Sequence, residues 1–361
     1  MKGYKLTMKN KLSIIACVVA CFTFLSADEF FEPSSKIGGY GELHWNQIDK
    51  TDNTKSNKLD FHRFIIYYGH NWTEEWSFKS ELELEHNFVK DGNGELELEQ
   101  AFVNYHDGKW GFQGGVILPS VGLLNEYHEP PLFLSVERPT YSKYIIPTTW
   151  FGNGFAFYGR FSDLSWRVAI LEDLNGTAIA EDGNIRSGRY KGYESTAFNW
   201  TKNFSASYSG ISGLKIGGSF TMNNAPVDVT ENINNSPDTY ISVSLFELNA
   251  KYNANNIYSV FEFGNVDFKG TEIEGFDDFK SSGYYFDLGY DVGSFTDCGK
   301  LIPWFRTSSV STDTKNDAEE ITRFGLTWWP IDNVAFKADY GTVKKGLDED
   351  KEINIGIGYS F

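Results

Sequence analysis

The chain has 361 residues, 41% hydrophobic, 17% aromatic and 22% charged, with 35 glycines. This composition excludes a disordered chain, and its wealth of Tyr, Phe, Trp and Gly favours strands and turns. A formal net charge of −17 argues against nucleic acid as a partner and against docking on anionic lipid through a basic face.

The N-terminus has the layout of a secretory signal. Lys2, Lys5, Lys9 and Lys11 precede an apolar run from Leu12 to Leu25, and Ser26–Ala27 stand before Asp28. Met8 is an alternative start. The run of about 14 residues suits a signal core and is short for a bilayer span. Removal of residues 1–27 is expected, leaving 28–361 as a single domain. A lipoprotein reading at Cys21 is weaker, because Phe22 to Leu25 continue the apolar run. Cleavage leaves 28 basic against 49 acidic residues, a net charge of −21, with Cys298 as the remaining cysteine and therefore no intrachain disulfide. No later apolar run approaches the roughly 18 residues of a transmembrane helix. The mean hydropathy of −0.37 is compatible with a membrane barrel, whose strands show lipid only alternate side chains.

From Lys36 onward, segments of about ten residues alternate apolar and polar side chains between turn residues. Strands are expected at 36–47, 59–72, 75–88, 95–106, 109–117, 151–161, 165–172, 192–204, 213–224, 238–252, 256–266, 281–294, 299–310, 319–329, 333–343 and 352–361. In the third, Trp76, Phe78, Leu82, Leu84 and Phe88 share one face, opposite Lys79, Glu81, Glu83 and Glu85. In the fourth, Leu96, Leu98 and Phe102 oppose Glu95, Glu97 and Glu99. Short connections, such as Thr73–Glu74, Asp107–Gly108 and Asn253–Ala254–Asn255, alternate with long polar ones. That alternation predicts an all-β fold: a transmembrane antiparallel up-and-down β-barrel of about 16 strands. Aromatics beside the short turns (Trp72, Trp76, Tyr105, Trp110, Trp166, Trp328 and Trp329) read as an interfacial girdle. The last strand ends in Phe361.

The segment 118–150 interrupts this pattern. It carries five of the ten prolines, which rule out a ladder or a long helix, yet Leu132, Phe133, Leu134, Val136, Tyr141, Tyr144, Ile145 and Ile146 need somewhere to pack. A loop of roughly 30 residues with this composition is expected to be functional, folding inward to constrict the barrel. Six glutamates (Glu81, Glu83, Glu85, Glu95, Glu97, Glu99) on two adjacent strands belong in the lumen, since lipid would not tolerate them. They suggest a negative wall favouring cations, or ion pairs with Arg63, Lys79, Arg138 or Lys143 that hold the loop. Glu126, His128, Glu129, Glu137 and Arg138 are the loop residues expected at the narrowest point. No cofactor or metal is expected: His62, His70 and His86 lack metal-ligand spacing, and no ordered calcium motif is present. Asp91–Gly94 reads as a hairpin loop. No Gly-x-Ser-x-Gly elbow supports the competing class, an outer-membrane protease or phospholipase, so an enzyme is not expected; a sealed structural or adhesive barrel is a third class.

The segments GYGELHWN at Gly39–Asn46, DFHRF at Asp60–Phe64, ELELEH at Glu81–His86, ELEQAF at Glu97–Phe102, and NEYHEPP through IIPTTW in the long loop resemble the Gram-negative porins, and within them the broad family related to phosphate-selective porins O and P. The resemblance spans the mature chain. It implies a passive diffusion channel for ions and small hydrophilic solutes, a homotrimer, and an outer-membrane setting with lipid and lipopolysaccharide as neighbours. One departure stands out: phosphate-selective members carry an arginine ladder, whereas the inward faces here carry glutamates, with Arg63, Lys79, Arg160 and Arg167 scattered. A modest cation preference is therefore expected.

Overall fold

The sheet closes on itself. In the computed structural model, β1 (Ser34–Asp49) pairs antiparallel with β2 (Lys55–Asn71) on one side and with β16 (Asp348–Ser360) on the other. Between them run β3 (Trp76–Glu85), β4 (Leu96–His106), β5 (Trp110–Ile117), β6 (Gly152–Phe161), β7 (Leu164–Leu171) and β8 (Thr201–Ile211). The circuit continues through β9 (Leu214–Pro226), β10 (Tyr240–Ala254), β11 (Ile257–Thr271), β12 (Phe279–Tyr290), β13 (Lys300–Ser311), β14 (Glu319–Ile331) and β15 (Val334–Lys345), each strand beside its sequence neighbours. The structure describes residues 31–90, 92–227, 239–271, 276–295 and 297–361. The expected signal segment 1–27 lies outside them, as do Asp91 of the Asp91–Gly94 hairpin and most of the Ala225–Pro237 loop.

Closure leaves no strand edge, so the ladders pair the backbone groups that lipid could not. The outward face is apolar, with Leu82, Leu98, Phe155, Phe246, Leu248 and Phe324 all exposed. Beside the short turns, Trp76, Tyr105, Trp110, Phe157 and Trp166 form a continuous aromatic chain, with successive ring centroids 5.0, 5.2, 5.1 and 5.7 Å apart. Phe361 closes the seam, exchanging two 2.9 Å backbone hydrogen bonds with Gly39.

Two expectations of strand placement differ. The strand expected at 192–204 lies at Thr201–Ile211. Its inward residues Thr201, Asn203, Ser205 and Ser207 are small and polar, so alternation is weak there, whereas Phe198 and Trp200 imitate it upstream. The preceding connection instead holds a short helix, Gly176–Asp182, capped by Asn175 accepting from the Ala178 N–H and ended by Gly183 at φ +71°. The long loop expected at 344–351 is a tight turn, with Lys345 directly opposite Asp348.

Two β-bulges matter more. In β2, Glu42 pairs with Arg63 and Leu43 with Phe61, so His62 is an extra residue. In β4, Glu81 pairs with Gln100 and Leu82 with Leu98, so Glu99 is extra. A bulge shifts the alternation by one. Phe102, expected to face lipid with Leu96 and Leu98, is consequently turned inward and buried with Ile117, Ala156, Ala169 and Leu171. Nitroxide labels placed one at a time at 101, 102 and 103, in a Cys298→Ser background, are expected to give strong relaxation by lipid-dissolved oxygen at 101 and 103 and protection at 102. The reverse pattern would place β4 in the unbulged register.

Candidate functional site

The 118–150 segment enters the barrel and packs against its wall, as expected from its composition. Val121, Leu134, Tyr141, Ile145 and Ile146 are buried against inward-facing Ile241, Leu245, Val266 and Tyr285. Burying each large apolar side chain contributes about 1.5–3 kcal/mol. The helical turn Tyr141–Tyr144 sits over a recess made by two glycines that face each other in register, Gly264 of β11 and Gly283 of β12. A Cβ at Gly264 would stand 2.6 Å from the Tyr141 hydroxyl, and one at Gly283 would stand 3.0 Å from Ile145.

The wall also captures the loop backbone. The Val136 N–H donates to Asp339, Trp329 Nε1 to the Pro131 carbonyl at 3.0 Å, Thr327 Oγ1 to the Leu134 carbonyl and Lys337 Nζ to the Ser135 carbonyl at 2.9 Å. At the loop entrance, Arg167 donates to the Leu118 carbonyl, Ser120 and Gln113. These partners come from strands far away in sequence. Arg167 is among the scattered basic candidates of the sequence; Trp329, expected in the interfacial girdle, instead turns inward and is buried, and no local pattern marks Thr327, Lys337 or Asp339.

Facing the opposite wall, the loop presents polar groups to the glutamates. Glu81, Glu83 and Glu99 are 0%, 1% and 0% exposed, so they lie behind the loop and do not border open lumen. This corrects the expectation of a conducting acidic wall at these three positions and favours its anchoring alternative. Arg63 spans Glu42 at 2.8 Å and Glu83 at 3.1 Å, with Glu85 at 3.8 Å. His44 bridges Glu42 and Glu137 through its two ring nitrogens, each at 2.9 Å. Glu81 accepts from Gln100, and His128 is buried among Glu81 and Glu99. Glu95 and Glu97 both pair with Lys191 of the 172–200 connection. Burial lowers the Lys191 pKa, but hydrogen bonds to Glu97 and Glu95 outweigh it and raise the value. Glu129 accepts from the Tyr67 hydroxyl, and Arg138 donates to the His128 carbonyl.

Lys79 and Glu126 do border open space. Cavities of about 480, 330 and 260 Å³ meet around Tyr127, on the side of the loop facing the short turns. Their charged lining is chiefly basic: Lys79, Arg160, Arg167, Lys215, Lys251 and Arg306, against Glu126, Glu247 and Asp287. Arg167 lies 3.5 Å from Glu126, and Arg306 grips Asp287 through two bonds of 2.6 and 2.7 Å. Lys215 and Lys251 stand directly opposite each other in the β9–β10 register, an arrangement that costs stability where it serves only the fold.

Solved structures resemble this barrel over most of its length. The anion-selective porin from Comamonas acidovorans matches with a TM-score of 0.62, 12% identity and coverage of 91% of this chain and 100% of that one. The fold is that of the porins. Salmonella typhi OmpF in complex with daunomycin gives 0.60 and 14%, covering 91% and 97%, and the trimer form of OmpT, an outer membrane protein of Vibrio cholerae, gives 0.56 and 11%, covering 92% and 100%. At these identities the likeness concerns the fold alone. A stretch of 154 residues is 44% identical to an uncharacterised protein of Aquifex aeolicus, spanning 42% of this chain and 34% of that relative, about a third of its length. No protein-family model matches.

Two outcomes are expected. Burial raises the Glu137 carboxyl, but the hydrogen bond from His44 and that ring's charge, against Glu42 and beside His62, bring it down to about 2. A carboxylate depressed on folding stabilises above its ordinary value near 4.5 and loses that contribution as pH falls towards about 2. Hydrogen exchange across 134–138 should therefore accelerate in that window, and Glu137→Gln should flatten the step; an unchanged step in the variant would remove Glu137 from the account. Separately, Gly264→Val should overpack the recess and cost about 1–3 kcal/mol, read as an earlier denaturant midpoint, and an unaltered midpoint would detach the helical turn from that wall.

Proposed function

We propose that the protein is a passive outer-membrane channel for ions and small hydrophilic solutes. The observation that carries this reading is the set of polar-lined cavities beside an inward loop, a bore that is narrowed and not filled. Sixteen strands enclose more space than one such loop occupies. An enzymatic reading finds little to stand on. Among the described residues Ser35 Oγ lies 2.8 Å from His70 Nδ1 at the rim, and no carboxylate hydrogen-bonds that ring. The apolar outward belt and aromatic girdle support a setting among outer-membrane lipid and lipopolysaccharide, and the trimer form of the Vibrio cholerae protein of like fold supports a homotrimer.

The expected cation preference loses its basis once Glu81, Glu83 and Glu99 are covered by the loop. Lys79, Lys215 and Lys251 border the passage instead, and a cavity lined by one sign of charge concentrates the opposite ion. We therefore assign the passage a weak anion preference. Single-channel recording in planar bilayers tests both points. Step conductance is expected, with a reversal potential on the anion side in a salt gradient and a shift towards cations in Lys215→Glu/Lys251→Glu. Deleting Glu126 to Ser142 should enlarge the current. Absence of conductance, with turnover of lipid or peptide substrates, would favour an enzyme; strong cation preference would restore the acidic-wall reading.

A further inference from the structure

Behind the loop, three side chains from three elements converge in a pocket closed to solvent. Glu81 of β3 and Glu99 of the β4 bulge are 0% exposed, and His128 of the loop is 1% exposed. His128 donates from Nδ1 to the Asn125 carbonyl at 2.9 Å, which fixes the ring and aims Nε2 between the two carboxylates. Nε2 lies 3.5 Å from Glu81 Oε1 and 3.4 Å from Glu99 Oε2, and the three donor atoms all fall within 4.8 Å of one another.

Those separations are long for charge-assisted hydrogen bonds, which close to about 2.7–2.9 Å. Accordingly His128 Nε2, Glu81 Oε1 and both oxygens of Glu99 make no hydrogen bond, although each is buried. Leaving such groups unpaired away from water is costly. Arg63, the neighbouring guanidinium, makes its ion pairs with Glu42, Glu83 and Glu85 and none with Glu81 or Glu99. Two ligands held about 2.1 Å from one tetrahedral ion stand ~3.4 Å apart, close to the 3.5 and 3.4 Å that separate His128 Nε2 from the two carboxylates.

We propose that Glu81, Glu99 and His128 bind one divalent transition-metal ion, Zn²⁺ by preference, which fastens the constriction loop to β3 and β4. One imidazole and two carboxylates form a mixed nitrogen and oxygen set suited to zinc, whereas Ca²⁺ and Mg²⁺ take oxygen ligands. The second oxygen of Glu99 offers a fourth donor, and the closed surroundings fit a site that holds structure. The bulge sets Gln100 inward directly beside Glu99, and Gln100 donates to Glu81, so the same irregularity that breaks the alternation helps shape the site. Asp60, His62 and His86, grouped at the opposite rim, provide a contrast: Asp60 lies 3.1 Å from His62 and 2.8 Å from His86, ordinary hydrogen-bond lengths that need no ion.

The test uses the full protein in detergent, stripped with chelator, dialysed and titrated with Zn²⁺ alone. One ion per chain is expected. His128→Gln and Glu99→Gln should each weaken binding beyond the ~10–100-fold that loss of an outer hydrogen-bonding partner costs, while His62→Asn/His86→Asn should leave it unchanged. Anomalous diffraction at the zinc edge from the unaltered protein should place a peak among Glu81, Glu99 and His128, and it decides the matter if the variants do not fold. No stoichiometric ion, binding that survives His128→Gln, or a peak at the Asp60 cluster alone would overturn the proposal. Conductance is not the readout, so this site and the channel reading stand or fall separately.

Discussion

Everything in this molecule depends on a backbone that must pair its own hydrogen bonds in a medium that offers none. The sheet meets that demand by joining β1 to β16, and closure then divides each strand into a lipid face and a lumen face. Charged residues have one side on which to live. The inward concentration of Glu42, Glu81, Glu83, Glu99, Arg63, Arg306 and Arg323 follows from that division. It places many ionisable groups in a confined space, where each needs a partner.

The long loop supplies many of those partners, and it does so asymmetrically. Its apolar side chains meet the β10–β13 wall, where the inward positions include Ile241, Leu245, Val266, Tyr285 and a facing pair of glycines. Its His128, Glu129 and Glu137 meet the acidic β1–β4 wall, where bulges add inward residues at His62 and Glu99. A loop that is apolar on one side and charged on the other can seat in one orientation against walls of matching character. The five prolines help by removing N–H groups that would otherwise need acceptors inside the barrel.

Much of this was legible in the sequence. Period-2 alternation, turn spacing and the contrast of short and long connections predict the barrel and its strand number, because those patterns are local consequences of closure in lipid. The loop is legible for the same reason: its prolines and apolar residues contradict everything around them. What escaped is non-local or irregular. A bulge is one extra residue with no compositional mark, so Phe102 reads as lipid-facing and Glu99 as one member of a regular row. The burial of Glu81, Glu83 and Glu99 depends on a loop packed over them, and the grip of Arg306, Trp329, Lys337 and Asp339 on that loop joins positions some 170 to 200 residues apart. The Lys215–Lys251 apposition likewise exists only once β9 and β10 are in register.

The central claim is that an inward loop narrows a bore that stays open, with its roomier vestibule on the side of the short turns. Exclusion of neutral polyethylene glycols of graded size, added to one side of a single channel at a time, measures this most directly. The account predicts that intermediate polymers entering from the short-turn side lower the current while the same polymers from the other side do so less, with a size cut-off well below the free bore of a sixteen-stranded barrel. Equal access from both sides up to that free bore would contradict it.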